Sequence, residues 1–160
     1  MKTLSIYGDN RFETHTQTRI ACRGVVFKDD LLLLSYAARL DLWMLPGGGM
    51  KPNEDDEACC VRELAEETGV LVKPQKHFLT LHEYYEEYLY ITHFFTCSVL
   101  GATEQHLTEN EKKLGLETRY LPFEEALSIF AAHSRFAAEE EKRGFYLREY
   151  TALSTYLESI

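Results

Sequence analysis

A chain of 160 residues, 45% hydrophobic and 27% charged, is one domain's worth of ordinary globular sequence and can bury a core without staples. Its 26 acidic against 17 basic residues repel phosphate backbones, which excludes a general nucleic-acid polymer binder but not a small phosphorylated ligand carried with a divalent cation. There is no run of roughly 18 apolar residues to span a membrane and no secretory signal, and Cys22, Cys59, Cys60 and Cys97 form no CxxC pair, so the expectation is a cytoplasmic protein with reduced thiols.

In chain order the pattern is mixed α/β in a single domain, residues 1–160, without repeats or a linker. Residues 1–17 read as a polar leader. Arg19 to Lys28 is rich in Ile, Val and Phe and predicts a strand. Asp29-Asp30 is a turn, and Leu31 to Ala37 is the returning strand. The short apolar piece Leu42 to Leu45 leads into Pro46-Gly47-Gly48-Gly49, a loop with unusual backbone freedom. Asn53 is the expected N-cap of a helix that runs to about Thr68, where Gly69 can close it in the left-handed conformation. His77 to Tyr85 and Tyr88 to Val99 are the next two strands, joined at Glu86-Glu87. Gly101 to Gly115 reads as a polar loop, Leu116 to Leu121 as a last strand, and Phe123 to about Ala132 as a helix behind Pro122. Residues 144–160 form a C-terminal packing helix, with Leu147, Tyr150, Leu153, Leu157 and Ile160 as its apolar stripe.

The helix after the glycines carries the chemistry. At about 100° per residue, with Glu63 at zero, Glu67 falls at about 40° and Glu66 at about 300°. Ala58, Val61, Leu64, Ala65 and Thr68 lie on the opposite side and suit a core. Carboxylates at three- and four-residue spacing repel one another by a few tenths of a kcal/mol per pair. Arg62 can reach Glu66, which leaves Glu63 and Glu67 without an evident partner. A hard cation such as Mg²⁺ resolves that repulsion by accepting carboxylate oxygens while keeping positions for water or phosphate. The bland alternative is a solvated acidic face. The preceding glycines favour the metal, because they let backbone approach a ligand next to a helix start that attracts anions. Cys59, at about 320° on the same wheel, lies near the carboxylates but is not a ligand for an ion that prefers oxygen.

These residues resemble a known motif. Gly48, Glu54 and the run Arg62-Glu63-Leu64-Ala65-Glu66-Glu67-Thr68-Gly69-Val70 are similar at every specified position to the Nudix box, GX₅EX₇REUXEEXGU. Leu45-Pro46-Gly47-Gly48-Gly49 looks like the family's approach to the box. The resemblance, to MutT-like Nudix hydrolases, implies an α/β/α sandwich with a mixed central sheet and the box as loop-helix-loop. It implies hydrolysis of a phosphoanhydride bond in a nucleoside diphosphate linked to a group X, with Mg²⁺ as cofactor and Mn²⁺ as substitute. By the same resemblance Glu63, Glu66 and Glu67 are metal ligands and Gly47 or Gly48 adds a backbone carbonyl. Arg62 then orients the cluster and Glu54 supports the helix start. The general base is a box glutamate or one of Glu104, Glu109 and Glu111. A homodimer is also admitted.

Substrate contacts are less marked. Arg19, Arg23 and Arg39 can meet phosphates bidentately, Gly48 and Gly49 allow close approach, and Tyr85 or Tyr88 near the Glu86-Glu87 turn can stack on a base. Each also has an ordinary reading as surface or sheet residue. The six histidines show no HxxxH spacing, so zinc is not expected. Two rival readings are a catalytically silent nucleotide-binding module and isoprenoid diphosphate isomerisation. The intact glutamate set disfavours the first, and the lack of a further Cys/Glu pair disfavours the second.

Overall fold

The computed structural model describes residues 1–160. The expected polar leader is partly a strand. β1 (Lys2–Tyr7) pairs in parallel with residues 79–84 of a later strand and turns Leu4 and Ile6 toward the core. Its alternation is the period-2 pattern of an edge strand with one face covered. β2 (Gln17–Lys28) and β3 (Leu31–Ala37) form the expected hairpin through Asp29 and Asp30, whose φ angles are 52° and 65°. Two left-handed residues give the turn the twist a tight hairpin needs, and aspartate tolerates that conformation.

The hairpin pairing is brief. Only Phe27 and Lys28 pair with β3, which continues between β4 (Leu42–Met44) and, further along the chain, β8 (Leu116–Pro122). The rest of β2 pairs in parallel with β7 (Tyr88–Ala102), and β7 pairs antiparallel with β6 (Val70–Tyr85), which also carries β1. β5 (Gly47–Gly49) lies antiparallel on Ala21–Arg23 of β2. The sheet is therefore mixed.

Adjacent strand residues face opposite sides and build two cores. Val26 and Phe95 pack with Cys60 and Leu64 beneath α1 (Asp56–Thr68). Val25 and Phe94 pack with Leu79, Leu81, Ala152 and Leu153 on the other face. α2 (Glu109–Lys113) is a short turn before β8; α3 (Phe123–Ala131) and α4 (Glu140–Ser159) cover that second core. The result is the three-layer α/β/α sandwich. No helix is long and apolar enough to cross a membrane.

Several local expectations are corrected. Asp55, not Asn53, caps α1: its carboxylate accepts the Ala58 amide at 2.7 Å, while Asn53 sits at φ 65° in the approach. Ala58 is exposed and Cys59 and Cys60 take the inner face, because the helix leans Glu67 and Thr68 inward as well. The polar 101–115 segment holds α2, secured by a reciprocal capping box between Thr108 and Glu111. In α4, Leu157 and Ile160 are exposed, and the buried face instead runs through Tyr146, Glu149, Ala152 and Leu153. That face wins because its charged member finds partners in the fold.

Candidate active site

The glycine strand is held from three directions. From β2, Arg23 donates from Nη1 to the Leu45 carbonyl at 2.7 Å. From α4, fully buried Glu149 accepts the Leu45 amide on Oε2 at 2.6 Å and Arg148 Nε on Oε1 at 2.8 Å. From α1, Arg62 Nη2 donates to the Gly49 carbonyl at 2.9 Å. Gly47 adopts φ 152°, and a Cβ there would lie 2.1 Å from the Cys22 carbonyl oxygen. Only glycine meets both demands.

Arg62 is the hub of the acidic helix. Its Nε and Nη2 grip Glu54 bidentately at 2.6 and 2.8 Å, and its Nη1 reaches Glu63 at 2.8 Å and Glu66 at 3.3 Å. Glu54 also accepts the Lys51 amide at 3.0 Å, which fixes the chain just ahead of the Asp55 cap. The guanidinium holds the Glu54 carboxyl at about 2, well below the usual range. Glu63 therefore has a partner that spacing alone did not reveal.

The three box carboxylates experience different surroundings. Burial raises Glu63, with Arg62 opposing. Glu66 is the most open of the three, its side chain 40% exposed. Glu67 is buried, takes a hydrogen bond from the Ser35 hydroxyl of β3, and is pushed up to about 7 chiefly by loss of water. Neighbouring charge adds to this: Glu63 and Glu111 both raise Glu67, and Glu66 and Glu111 both raise Glu63. Glu63 and Glu66 thus meet on one Arg62 amino group, while Glu67 turns inward to Ser35. Of the three distal glutamates, Glu111 is the one whose charge raises both Glu63 and Glu67. Glu104 is exposed, and Glu109 pairs with Lys112.

A cavity of about 660 Å³ opens on the other face of the sheet, between β2, β6, β7 and the start of α4. Gly48 and Gly49 form part of its wall, so the same strand that receives Glu63 borders the cavity. Arg19, Arg23 and Tyr85 line it as well; Arg39 does not, lying instead on the short helical turn Ala38–Leu40 beside Gly115. Tyr88 and Tyr90 stack with ring centres 5.4 Å apart on this lining. Buried Arg23 Nε and Arg148 Nη2 have no hydrogen-bond partner, although both residues line the cavity.

Glu83, Arg148 and Glu149 escaped the sequence reading. Burial pushes Glu83 up to about 7, with Arg148 pulling it back. The available signal was Tyr146, Glu149, Leu153 and Tyr156, a second helical stripe in which one acid interrupts apolar residues. An acid at such a position points to a buried partner.

Comparison with known proteins fits this geometry. A family model described as the NUDIX domain matches residues 17–145. The chain is 30% identical over 112 residues to mouse diphosphoinositol polyphosphate phosphohydrolase 3-alpha, a match that covers 70% of this chain and 66% of that protein. The match to mouse diphosphoinositol polyphosphate phosphohydrolase 2 has the same identity and covers 60% of it. Among solved structures, the MutT protein of Methanosarcina mazei Go1 aligns with a TM-score of 0.57 at 20% identity, over 86% of this chain and 97% of that one. A NUDIX hydrolase from Nitrosomonas europaea aligns with a TM-score of 0.58 at 20% identity, over 68% and 75%.

Proposed function

Because the chain belongs to the Nudix family, we propose that it hydrolyses a phosphoanhydride bond in a small nucleoside diphosphate linked to a further group, with a divalent cation as cofactor. The observation that carries this reading is the glycine strand shared by two features: Glu63 packs on Gly48, and Gly48 and Gly49 wall the cavity. A substrate in that cavity would present its phosphates to the carboxylates across a backbone with no side chain in the way.

The residues fit a hard cation. Glu63, Glu66 and Glu67 offer only oxygen, and Gly48 leaves room where a Cβ would overlap the Glu63 carboxylate. These three, with the Gly47 carbonyl, would hold Mg²⁺ or Mn²⁺. When bound, such an ion polarises a phosphoryl oxygen and acidifies a bound water. Arg62 positions the set, binding Glu63 and Glu66 on one amino group and the loop on the other. Glu111, whose charge acts on both Glu63 and Glu67, is the distal carboxylate best suited to take the proton of an attacking water. The unpaired donors of Arg23 and Arg148 suit phosphate oxygens, since a buried guanidinium N–H without a partner is otherwise costly. Phosphoryl transfer needs this positioning and charge balance more than a protein nucleophile.

The curated relatives carry diphosphoinositol polyphosphate in their names. In this cavity three arginines stand against Asp9, Glu83, Glu86, Glu140 and Glu141, with three tyrosines among them. That balance favours one pyrophosphate and a planar base over a ring crowded with phosphates. The test is a panel of nucleoside diphosphate-linked compounds, nucleoside triphosphates and a diphosphoinositol polyphosphate, with Mg²⁺, scored for product. Turnover of a nucleotide, lost by orders of magnitude in Glu66→Gln and Glu67→Gln, is expected. Turnover of the inositol compound alone, or full activity in both variants, overturns the reading.

A further inference from the structure

A second cluster lies on the α1 face of the sheet, away from the cavity. Asp56 in the first turn of α1, His77 on β6 and His93 on β7 each bring one ligand atom within 4.8 Å of the others, and all three are half-buried. Sequence spacing could not show this, since the residues come from three elements. A register shift between His77 and Leu79 helps to assemble them. Such a bulge re-aims side chains, and here the Thr80 hydroxyl lies between His77 Nε2, at 2.9 Å, and His93 Nδ1, at 3.0 Å.

The hydrogen bonds orient the rings for coordination. His77 Nε2 lies 3.1 Å from the Leu79 carbonyl, which can only accept, and 2.9 Å from the Thr80 hydroxyl, which can accept as well; with the proton on Nε2, Nδ1 presents its lone pair. That lone pair faces the Asp56 carboxylate at 3.9 Å. The distance exceeds a hydrogen bond. Two ligands held at roughly 2.0–2.1 Å by one tetrahedral ion sit only slightly closer than this. His93 Nδ1 lies 3.0 Å from the Thr80 hydroxyl, and with Nδ1–H donating to that oxygen Nε2 keeps a lone pair for a metal. Burial lowers the His93 pKa and so favours the neutral ring, the form that binds metals. Imidazole ligands oriented by a second hydrogen bond are the usual support of such centres.

We propose that Asp56, His77 and His93 form a site for a borderline transition-metal ion of the Zn²⁺ class, separate from the box glutamates, with its fourth position open to water. Two nitrogens and one oxygen suit Zn²⁺ or Co²⁺ and disfavour Mg²⁺. The ion pins the first turn of α1 to β6 and β7, and so secures the catalytic helix at the end opposite Glu66 and Glu67.

The full chain, stripped of metal and then saturated with Mg²⁺, is titrated with Co²⁺ and followed by visible absorption and melting temperature. One equivalent should bind, with the d–d band of a four-coordinate ion and a higher melting temperature. His93→Gln and Asp56→Asn should each weaken binding at least tenfold, whereas Glu66→Gln should leave it unchanged. Binding abolished by Mg²⁺ or by Glu66→Gln, or unaffected by His93→Gln, would assign the ion to the box and overturn the proposal. Should the variants not fold, the wild-type chain decides by NMR with Zn²⁺. The ring resonances of His77 and His93 must move while those of His15 and His133 stay; fixed His77 and His93 signals overturn the site.

Discussion

Gly48 and Glu63 are so closely apposed that a Cβ on the glycine would stand 2.4 Å from Glu63 Oε2. The loop and the helix therefore meet as backbone against carboxylate. Gly48→Ala should push Glu63 aside, and a misplacement of about 1 Å at such a site lowers turnover by roughly two orders of magnitude. Steady-state kinetics with circular dichroism checks this. Wild-type turnover in a folded variant would show that Glu63 need not sit there.

Tyr88 and Tyr90 present a stacked pair to the cavity. Removing one face of a base-stacking platform costs about 1–3 kcal/mol. Tyr88→Ala should accordingly lower kcat/KM for a nucleotide substrate by about 5- to 150-fold, with melting temperature little changed. Equal kcat/KM in variant and wild type would place the base elsewhere.

Glu83 supplies a pH signature. Burial raises its carboxyl from 4.5 to about 7, so folding favours the protonated form. Its contribution to stability is present in full below about 4.5 and is lost as pH rises through about 7. The loss is on the order of 3 kcal/mol. Urea unfolding of the metal-free chain at pH 4.5 and pH 8 should show this decline, and Glu83→Gln should make it shallower, leaving the share of Glu67, which burial also raises to about 7. An unchanged slope in the variant would assign the decline to other groups.

Glu149 is the deepest charge in the fold and accepts from both Leu45 and Arg148. Glu149→Ala leaves Arg148 buried without its counter-ion, and breaking such a pair costs about 3–5 kcal/mol. The denaturant midpoint should fall accordingly, and turnover should fall with it because the Leu45 end of the glycine turn is released. A variant as stable as wild type would show that Arg148 has another outlet.

The acidic helix was legible because its evidence is local: Glu63, Glu66 and Glu67 follow from helical period, and Gly69 closes the helix at φ 71° as expected. The β2–β3 hairpin was legible for the same reason. What escaped depends on distant partners. The α4 stripe was drawn through Leu157 and Ile160 by hydrophobicity alone, and nothing local says that Glu149 would find the Leu45 amide. β1 looked polar because its stabilisation comes from pairing with β6. α2 was missed although Thr108 and Glu111 carry a capping-box spacing, and the cap at Asp55 was assigned two residues early because Asn53 is an equally good cap by type.

The clamp on the glycine turn joins residues 104 positions apart. The box helix can be synthesised and coiled long before α4 exists, yet the turn in front of it has no anchor from that side until α4 docks. Contacts of such separation form late, after local helices and hairpins. On the ribosome, the chain would thus carry its acidic helix well before it had a finished enzyme, and competence for turnover would arrive as one of the closing events of folding.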